Sequence, residues 1–522
     1  MPFSESVIRD GRVRNLVGVA PLPSPGLLNT APLMLLVTLV GCSSVRDSTA
    51  SRTTIPTTST LPPTTVSTVP PTTTQPLHPF ADRRGVGAPT GEVAGLLSFR
   101  GNPSRTWYGS GPVPNQPEVA WRFGKMCGTS SVGGETKQWC GTGWTGQPAV
   151  WERGDGVTEV IFGAYDHAVH FHDVATGAAT REPFLVGDLI KGSVTIDPDG
   201  YPLLYFGSRD NQLRVLALDR EPVEELWALD STEFPGKWNN DWDGNPLVMR
   251  DLLFEGGENG IFFVVKLNRG YDSEGRVIVS PELLLQQPSW NEALTASLPE
   301  RKNDVGIENS VAAFEGRVYF ANSGGRVLGI DISQIEQGEA PIVFDYWVGD
   351  DVDASLVIDA EGALYVAAEQ ERFTSRSDEL GQLLKLDPQR PDDPLVWGVD
   401  IPPRIPGAGG LWATPALGDG VIYAASHPGE LLAVDTATGE VTWREEIGFH
   451  AWSSPVIVDD TLVTAVECEN GGGLRAYSLA DPRQPARLWD FALESGCIES
   501  TPAVWKGTIL VGSRDGYFYA LR

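Results

Sequence analysis

The chain has 522 residues, with 68 acidic and 39 basic side chains and a formal net charge of −29. A surface that acidic repels phosphate backbones and anionic headgroups, which argues against nucleic acid and favours cations or cationic partners. Six histidines are few for a hydrolase or a zinc enzyme, and no nucleophile elbow, zinc-protease helix or phosphate-binding glycine loop is present.

Arg9, Arg12 and Arg14 precede a short apolar run from Leu33 to Val40, which ends in Leu39-Val40-Gly41-Cys42. The run is too short for a stable span and reads as an export signal over residues 1–41. Leu-Val-Gly-Cys resembles the bacterial lipobox, which makes Cys42 the expected lipidated N-terminus, anchored to the outer face of a bacterial membrane. Residues 42–77 are rich in Ser, Thr and Pro and lack the apolar content for a core, so they read as an extended tether. Residues 78–116 read as a lead-in to the repeats that follow.

From residue 117 onward a self-similar unit recurs at steps of 40 to 65 residues. Its starts are Gly146-Gln147-Pro148, Gly192-Ser193-Val194, Gly244-Asn245-Pro246, Asn309-Ser310-Val311, Ala354-Ser355-Leu356, Ala413-Thr414-Pro415, Ser453-Ser454-Pro455 and Ser500-Thr501-Pro502. Each start leads into short strand-like runs split by Gly/Asp turns, as in Val421–Ala424, Glu430–Val434 and Glu440–Trp443. Four strands at this period specify propeller blades, none of which buries its faces alone. The fold class is therefore all-β, an eight-bladed propeller over 117–522, with seven blades as the alternative if the irregular unit at 244–306 is an insertion. The last unit stops at Tyr517–Arg522 without its Trp, while Pro117–Phe123 is a Trp-bearing strand with no blade ahead of it. Pairing the two closes the ring through Trp121 and removes two open sheet edges.

Four cysteines remain beyond Cys42, an even number in an exported chain. In an up-and-down blade, the loop between the second and third strands and the loop into the next blade emerge on one face. Cys127, Cys140, Cys468 and Cys497 all fall on that rim, and the economical pairing is Cys127–Cys140 and Cys468–Cys497. Their spacing is too wide for a typical zinc site.

The sixth unit contains Ala433-Val434-Asp435-Thr436-Ala437-Thr438-Gly439-Glu440-Val441-Thr442-Trp443. This resembles the tryptophan-docking motif of the quinoprotein-type (PQQ-repeat) propeller family, with Asp435, Gly439 and Trp443 at its fixed places. The second unit keeps Asp219 and Trp227, and the first keeps Asp173 and Gly177 but has Arg181 where Trp is expected. The fourth and fifth units offer Asp331 with Trp347 and Asp387 with Trp397. The resemblance implies that most of the 16 Trp wedge between blades. The family includes PQQ- and calcium-dependent alcohol and sugar dehydrogenases and also non-catalytic envelope lipoproteins. Its enzymes stack the quinone between a Trp and a ring of two adjacent cysteines, and bind Ca²⁺ through Glu, Asn and Asp. This chain has no adjacent Cys pair and no Cys-x-x-Cys-His haem sequence.

Loops entering the blades converge on a central funnel. Asp241, Asp243, Glu308, Asn309, Asp353 and Glu499 supply oxygen ligands suited to a hard cation such as Ca²⁺, with solvated acidic loops as the alternative. Trp144, Trp242, Trp412 and Trp452, with Asn245, occupy matching places near the funnel mouth, either as ligand-stacking rings or as packing that plugs the channel. His170 and His172 share one face of a predicted strand, with His167 just upstream, where a metal site competes with a plain surface pair on an edge strand. The leading expectation is a monomeric, lipid-anchored propeller that binds an envelope protein, peptide or glycan and catalyses nothing. A PQQ- and calcium-dependent dehydrogenase and a glycan binder using the funnel Trp residues are the alternatives.

Overall fold

The computed structural model describes residues 87–522 except 133, 134, 145, 405–408, 467, 469 and 470. The expected signal segment, Cys42 and the tether lie outside the described residues. Eight sheets of four or five strands are arranged as an eight-bladed propeller. The irregular third unit is a blade in its own right: Leu247–Met249, Leu252–Gly256, Ile261–Lys266 and Glu282–Pro288 pair in order. Its extra length is a small hairpin, Gly270–Tyr271 with Val277–Ile278, and a helix over Glu292–Ser297.

Burial explains why the second strands carry little alternation. Leu203–Gly207, Leu252–Gly256 and Val421–Ala425 are buried along their whole length because a neighbouring blade covers each face. Outer strands such as Val119–Gly124 alternate with solvent.

The docking motif follows from three local requirements. Asp435 Oδ1 accepts from Ala437 N, Thr438 N and Thr438 Oγ1, so the carboxylate fixes the turn. Trp397 of the preceding blade lies on Gly439, where a Cβ would sit 2.8 Å from its ring at φ +75°, and its Nε1 donates to Thr436 O (3.0 Å). Trp443 packs edge-on to Tyr477 of the following blade, with ring centroids 5.4 Å apart. Seven outer strands also carry a register shift. In blade 6 the extra residue is Thr442: Ala433 faces Trp443 while Val434 faces Val441. A bulge there re-aims the next side chain toward the neighbouring blade. In blade 4 the corresponding place belongs to Phe344, opposite Gly329, and not to Trp347, whose Nε1 bonds Gly324 O instead. Arg181, which stands where Trp is expected, donates to Leu218 O (2.9 Å) of the next blade.

The start motifs join blade to blade around the axis. Gln147 N donates to Ser193 Oγ (2.8 Å), Asn245 N to Ser310 Oγ (3.1 Å) and Ser310 N to Ser355 Oγ (2.9 Å). Ser355 N donates to Thr414 Oγ1 (2.9 Å) and Thr414 N to Ser454 Oγ (3.0 Å). The recurrent hydroxyl is thus an acceptor for the previous blade's amide.

Closure occurs as the two chain ends suggest. Val119–Gly124 pairs antiparallel with Tyr517–Leu521, Trp121 facing Ala520. Trp121 Nε1 donates to Val174 O (2.9 Å), and its ring lies on Gly177 of blade 1.

The lead-in does more than connect. Gly95–Leu96 adds a strand to the inner edge of blade 1, and Gly109–Ser110 pairs in parallel with Val504–Trp505 of blade 8. Between them the chain crosses the axis as a strap. Leu97 O, Pro103 O and Ser104 O accept from Ile196, Ala313 and Ile358 of blades 2, 4 and 5. Arg100 and Arg105 are fully buried. Arg100 donates to Pro415 O (2.6 Å), Thr414 O (2.6 Å) and Pro455 O (2.8 Å). Arg105 donates to Val311 O, Phe99 O and Asn245 Oδ1. Burial lowers the two guanidinium groups to about 10 and about 9, so both stay charged at neutral pH.

Trp121→Ala is expected to cost about 2–4 kcal/mol, below the full core value because the ring is partly exposed. Deleting 117–123 should yield protease-sensitive or aggregated protein. Denaturant midpoints and limited proteolysis check both, and a deletion variant melting like the parent would contradict the closure. Arg105→Met should cost about 3–5 kcal/mol, because it leaves buried carbonyls of blades 3 and 4 and of the strap without this donor.

Candidate functional site

The strap seals the axis from the side where the first strand of each blade turns into the second, as the residues flanking it show: Glu92 N donates to Pro198 O (2.9 Å) and Gly111 lies against Asp459. The opposite mouth is formed by loops that enter each blade. The residue immediately before seven of the eight start motifs recurs there: Lys191, Asp243, Glu308, Asp353, Trp412, Trp452 and Glu499. Lys191 is the single cation in this series.

Lys191 Nζ bonds Asp243 and reaches Glu258 (3.2 Å) and Asp241 (3.6 Å). Arg209 pairs with Asp241 and donates through Nε to Ser130 Oγ (3.1 Å). Burial pushes Asp241 up to about 7 and Asp243 well above the carboxylate range, while Lys191 is the largest influence holding Glu258 down, at about 2. Across the mouth, Arg372 is buried against Asp304 (3.1 Å) and Asp351 (3.4 Å), and Arg301 pairs with Asp304 and Glu371. Asp351, Asp353 and Glu369 offer carboxylate oxygens within 4.8 Å of one another, the second place where a hard cation could be held.

The third grouping is aromatic. Trp412 and Trp452 stack at 4.7 Å and 5°, and Trp144 meets both edge-on at 5.4 and 5.3 Å. His427 lies beside Trp452, accepting from its Nε1 at Nδ1 (2.8 Å), and stacks on Trp412 at 4.6 Å. His450 covers the other side, 5.2 Å from Trp452 and 5.4 Å from His427. Trp144 and His450 hold positive φ, 48° and 64°, unfavourable for such bulky residues. Burial lowers His427 to about 3.

A disulfide-stapled hairpin, Cys127–Val132 with Glu135–Cys140, borders the mouth. Cys468 is bonded to Cys497. The two crosslinks share one rim, because Arg514 donates through Nε to Cys140 O (3.2 Å) and through its amide to Cys497 O (2.8 Å). Its guanidinium pairs with Glu499 (2.8 Å) and lies over Trp139 and Tyr165.

The expected site residues therefore divide. Trp144, Trp412 and Trp452 come together, but Trp242 does not join them: it is fully buried against Phe263, with Nε1 bonded to Asn211 O (2.9 Å). Trp412 and Trp452 directly precede their start motifs, whereas Trp144 and Trp242 both lie one residue earlier; Trp144 reaches the mouth with a left-handed backbone at φ 48°, while Trp242 points into the blade and Asp243 takes the funnel position. Asn245 also leaves the funnel set. Its Oδ1 accepts from Phe99 N and Arg105, and its Nδ2 donates to Ser193 O, Val194 O and Thr195 Oγ1. The six expected oxygen ligands form no single set. Asp241 and Asp243 hold Lys191, Glu499 holds Arg514, and Asp353 sits with Asp351 and Glu369. Asn309 links blades by donating to Ala321 O and Val352 O, and Glu308 accepts from Ser323 Oγ (3.3 Å). His170 and His172 are buried between blades against Phe123 and Phe162, bonded to Asp166 and Gly177 O, which are structural roles. Lys191, Glu258, Arg372 and His427 were not anticipated. Only Lys191 leaves a trace in the sequence, as the one cation at a repeat position that is acidic or aromatic in six of the other seven units.

Residues 379–522 match the family model described as Outer membrane protein assembly factor BamB. The propeller is of the PQQ-repeat type. The outer membrane protein assembly factor BamB of Yersinia pestis is 26% identical over 110 residues, 20% of this chain and 25% of that protein. The quinohemoprotein alcohol dehydrogenase ADH IIB of Pseudomonas putida is 26% identical over 147 residues, 24% of this chain and 19% of that protein. The chain thus spans about a quarter or less of the curated relatives it matches. The solved quinohemoprotein alcohol dehydrogenase of Comamonas testosteroni shares the fold at TM-score 0.55 and 13% identity, covering 84% of this chain and 81% of its own.

The residues present do not fit a calcium–quinone pair of the kind the resemblance implies. Lys191 stands between the carboxylates of blade 3, and both ends of the Asn245 amide are engaged by the strap and blade 2. The Trp242 ring is enclosed, and the cysteines beside the mouth are 13 residues apart in sequence.

The His427 environment predicts a pH response. The folded ring resists protonation down to about 3, while the unfolded ring protonates near its ordinary value of 6.5. His427 thus contributes stability above pH 6.5 that declines as pH falls toward 3, on the order of 4 kcal/mol in all. His427→Gln should flatten the unfolding free energy between pH 6.5 and 4 relative to the parent; parallel curves would contradict this.

Proposed function

We propose that the protein is a non-catalytic binding or scaffold propeller of the bacterial envelope, exported by residues 1–41, lipidated at Cys42 and held on the tether of residues 42–77. Its funnel face, with the aromatic grouping and the stapled hairpin, is the docking surface for an envelope protein, peptide or glycan. The observation that carries this reading is Lys191, whose ammonium stands among Asp241, Asp243 and Glu258 and engages the carboxylates that a metal would otherwise need. The strap supports it too, since a sealed axis and a rigid ring favour presentation of a fixed surface. A curated relative bears the description of an outer membrane protein assembly factor, which fits a binding role. Among the described residues no helix is long and apolar enough to cross a membrane, and the proposed lipid supplies the attachment.

Protein incubated with PQQ and Ca²⁺ should reduce no artificial dye with alcohols or sugars; substrate-dependent reduction would establish the dehydrogenase alternative. Cys42→Ala should release the protein from the membrane fraction, and unchanged retention would remove the lipid anchor. Photo-crosslinking from position 144 or 450 on the funnel face should capture a discrete envelope component, whereas crosslinks only from the outer strands would displace the docking face.

A further inference from the structure

The place of Lys191 carries a consequence beyond docking, although it concerns the same carboxylates on which the proposed function rests. Asp241, Asp243 and Glu258 each bring one oxygen within 4.8 Å of the others. That spacing suits a calcium ion, whose ligand oxygens lie about 2.3–2.6 Å from the metal. All three side chains are buried, and three carboxylates without a cation among them would be strongly destabilising. Lys191 Nζ lies within reach of all three, and Arg209 adds a second positive charge at Asp241. The oxygens face one another as ligands of a shared ion would: the Asp243 and Glu258 carboxyls lie against each other, buried Asp243 Oδ1 takes no hydrogen bond from an N–H donor, and the other Asp243 oxygen bonds Lys191. Lys191 also occupies the repeat position that is acidic at Asp243, Glu308, Asp353 and Glu499.

We infer that Lys191 is a covalently attached counter-ion standing in for a divalent cation, so that Asp241, Asp243 and Glu258 form a latent calcium site. An exchangeable ion would leave this side of the funnel dependent on the free calcium around it. A lysine side chain cannot dissociate, so the funnel wall between blades 2 and 3 keeps its shape at any calcium level. Through Arg209 and Ser130 the same cluster steadies the stapled hairpin, and its integrity sets the shape of the mouth.

The test compares unfolding of the parent, Lys191→Ala and Lys191→Ala/Asp243→Asn in EDTA and in millimolar CaCl2. In EDTA, Lys191→Ala should melt well below the parent. Calcium should recover most of that loss, and calorimetry with CaCl2 should find one site more than in the parent. The double variant should lose that recovery, which separates this cluster from Asp351, Asp353 and Glu369. Equal calcium shifts in the parent and Lys191→Ala, or none in Lys191→Ala, would overturn the inference. If Lys191→Ala does not accumulate folded, refolding Lys191→Gln with calcium or EDTA gives the same reading: a higher folded yield in calcium supports the inference and equal yields overturn it. Dye reduction by the parent with PQQ would defeat the proposed function without touching this result.

Discussion

Eight sheet edges meet on the axis of this propeller, and on that side their backbone groups have no ladder to join. A buried carbonyl without a donor is costly, so the centre of the molecule is organised around supplying partners. Hydroxyls of the start motifs take amides from the preceding blade. Asn245 and Asn309 link neighbouring blades by side-chain amides. The strap supplies two short strands and two guanidinium groups, which can each serve several carbonyls at once because they present five donors in a plane. Beneath Arg105 lies Glu255, fully buried, neither oxygen hydrogen-bonded, its acidity suppressed by burial and only partly restored by the arginine.

How far the sequence discloses this arrangement depends on whether a feature repeats. The start motifs, the Asp-to-Trp spacing and the ring closure recur or complement one another, and each has a local cause: a hydroxyl acceptor, a capped turn, a glycine that receives an indole, a bulge that turns it. The strap occurs once, and Arg100-Gly101-Asn102-Pro103-Ser104-Arg105 reads locally as a polar loop. Its burial is dictated by carbonyls contributed more than 200 positions away. Trp242 misleads for a different reason. It shares its one-residue offset with Trp144, and what separates them is the backbone: Trp144 turns to the mouth at φ 48°, whereas Trp242 keeps the alternate face and is buried in the blade.

The funnel combines two electrostatic solutions. On the side of blades 2 and 3, buried carboxylates are balanced by Lys191 and Arg209; on the side of blades 4 and 5, Arg301 and Arg372 perform this service for a larger group of acids. Between these and the stapled hairpin stands the aromatic grouping, in which burial keeps His427 uncharged and free to accept from Trp452. A neutral, layered wall beside charged but internally compensated ones offers a partner shape and stacking faces more than net charge.

The closing strand and the strap precede the first blade in the chain, yet both are completed by the last. During synthesis, Gly95–Gly124 emerges some four hundred residues before Tyr517–Leu521 exists to receive it. Seven blades can form and stack in order, the last of them supplying Pro455 O to Arg100, while the closing strand waits without its partner, and only the final strand lets the ring shut. The molecule is thereby built with a completeness check: a chain lacking its final strand leaves Val119–Gly124 unpaired, visible to proteases at the opposite end of the chain.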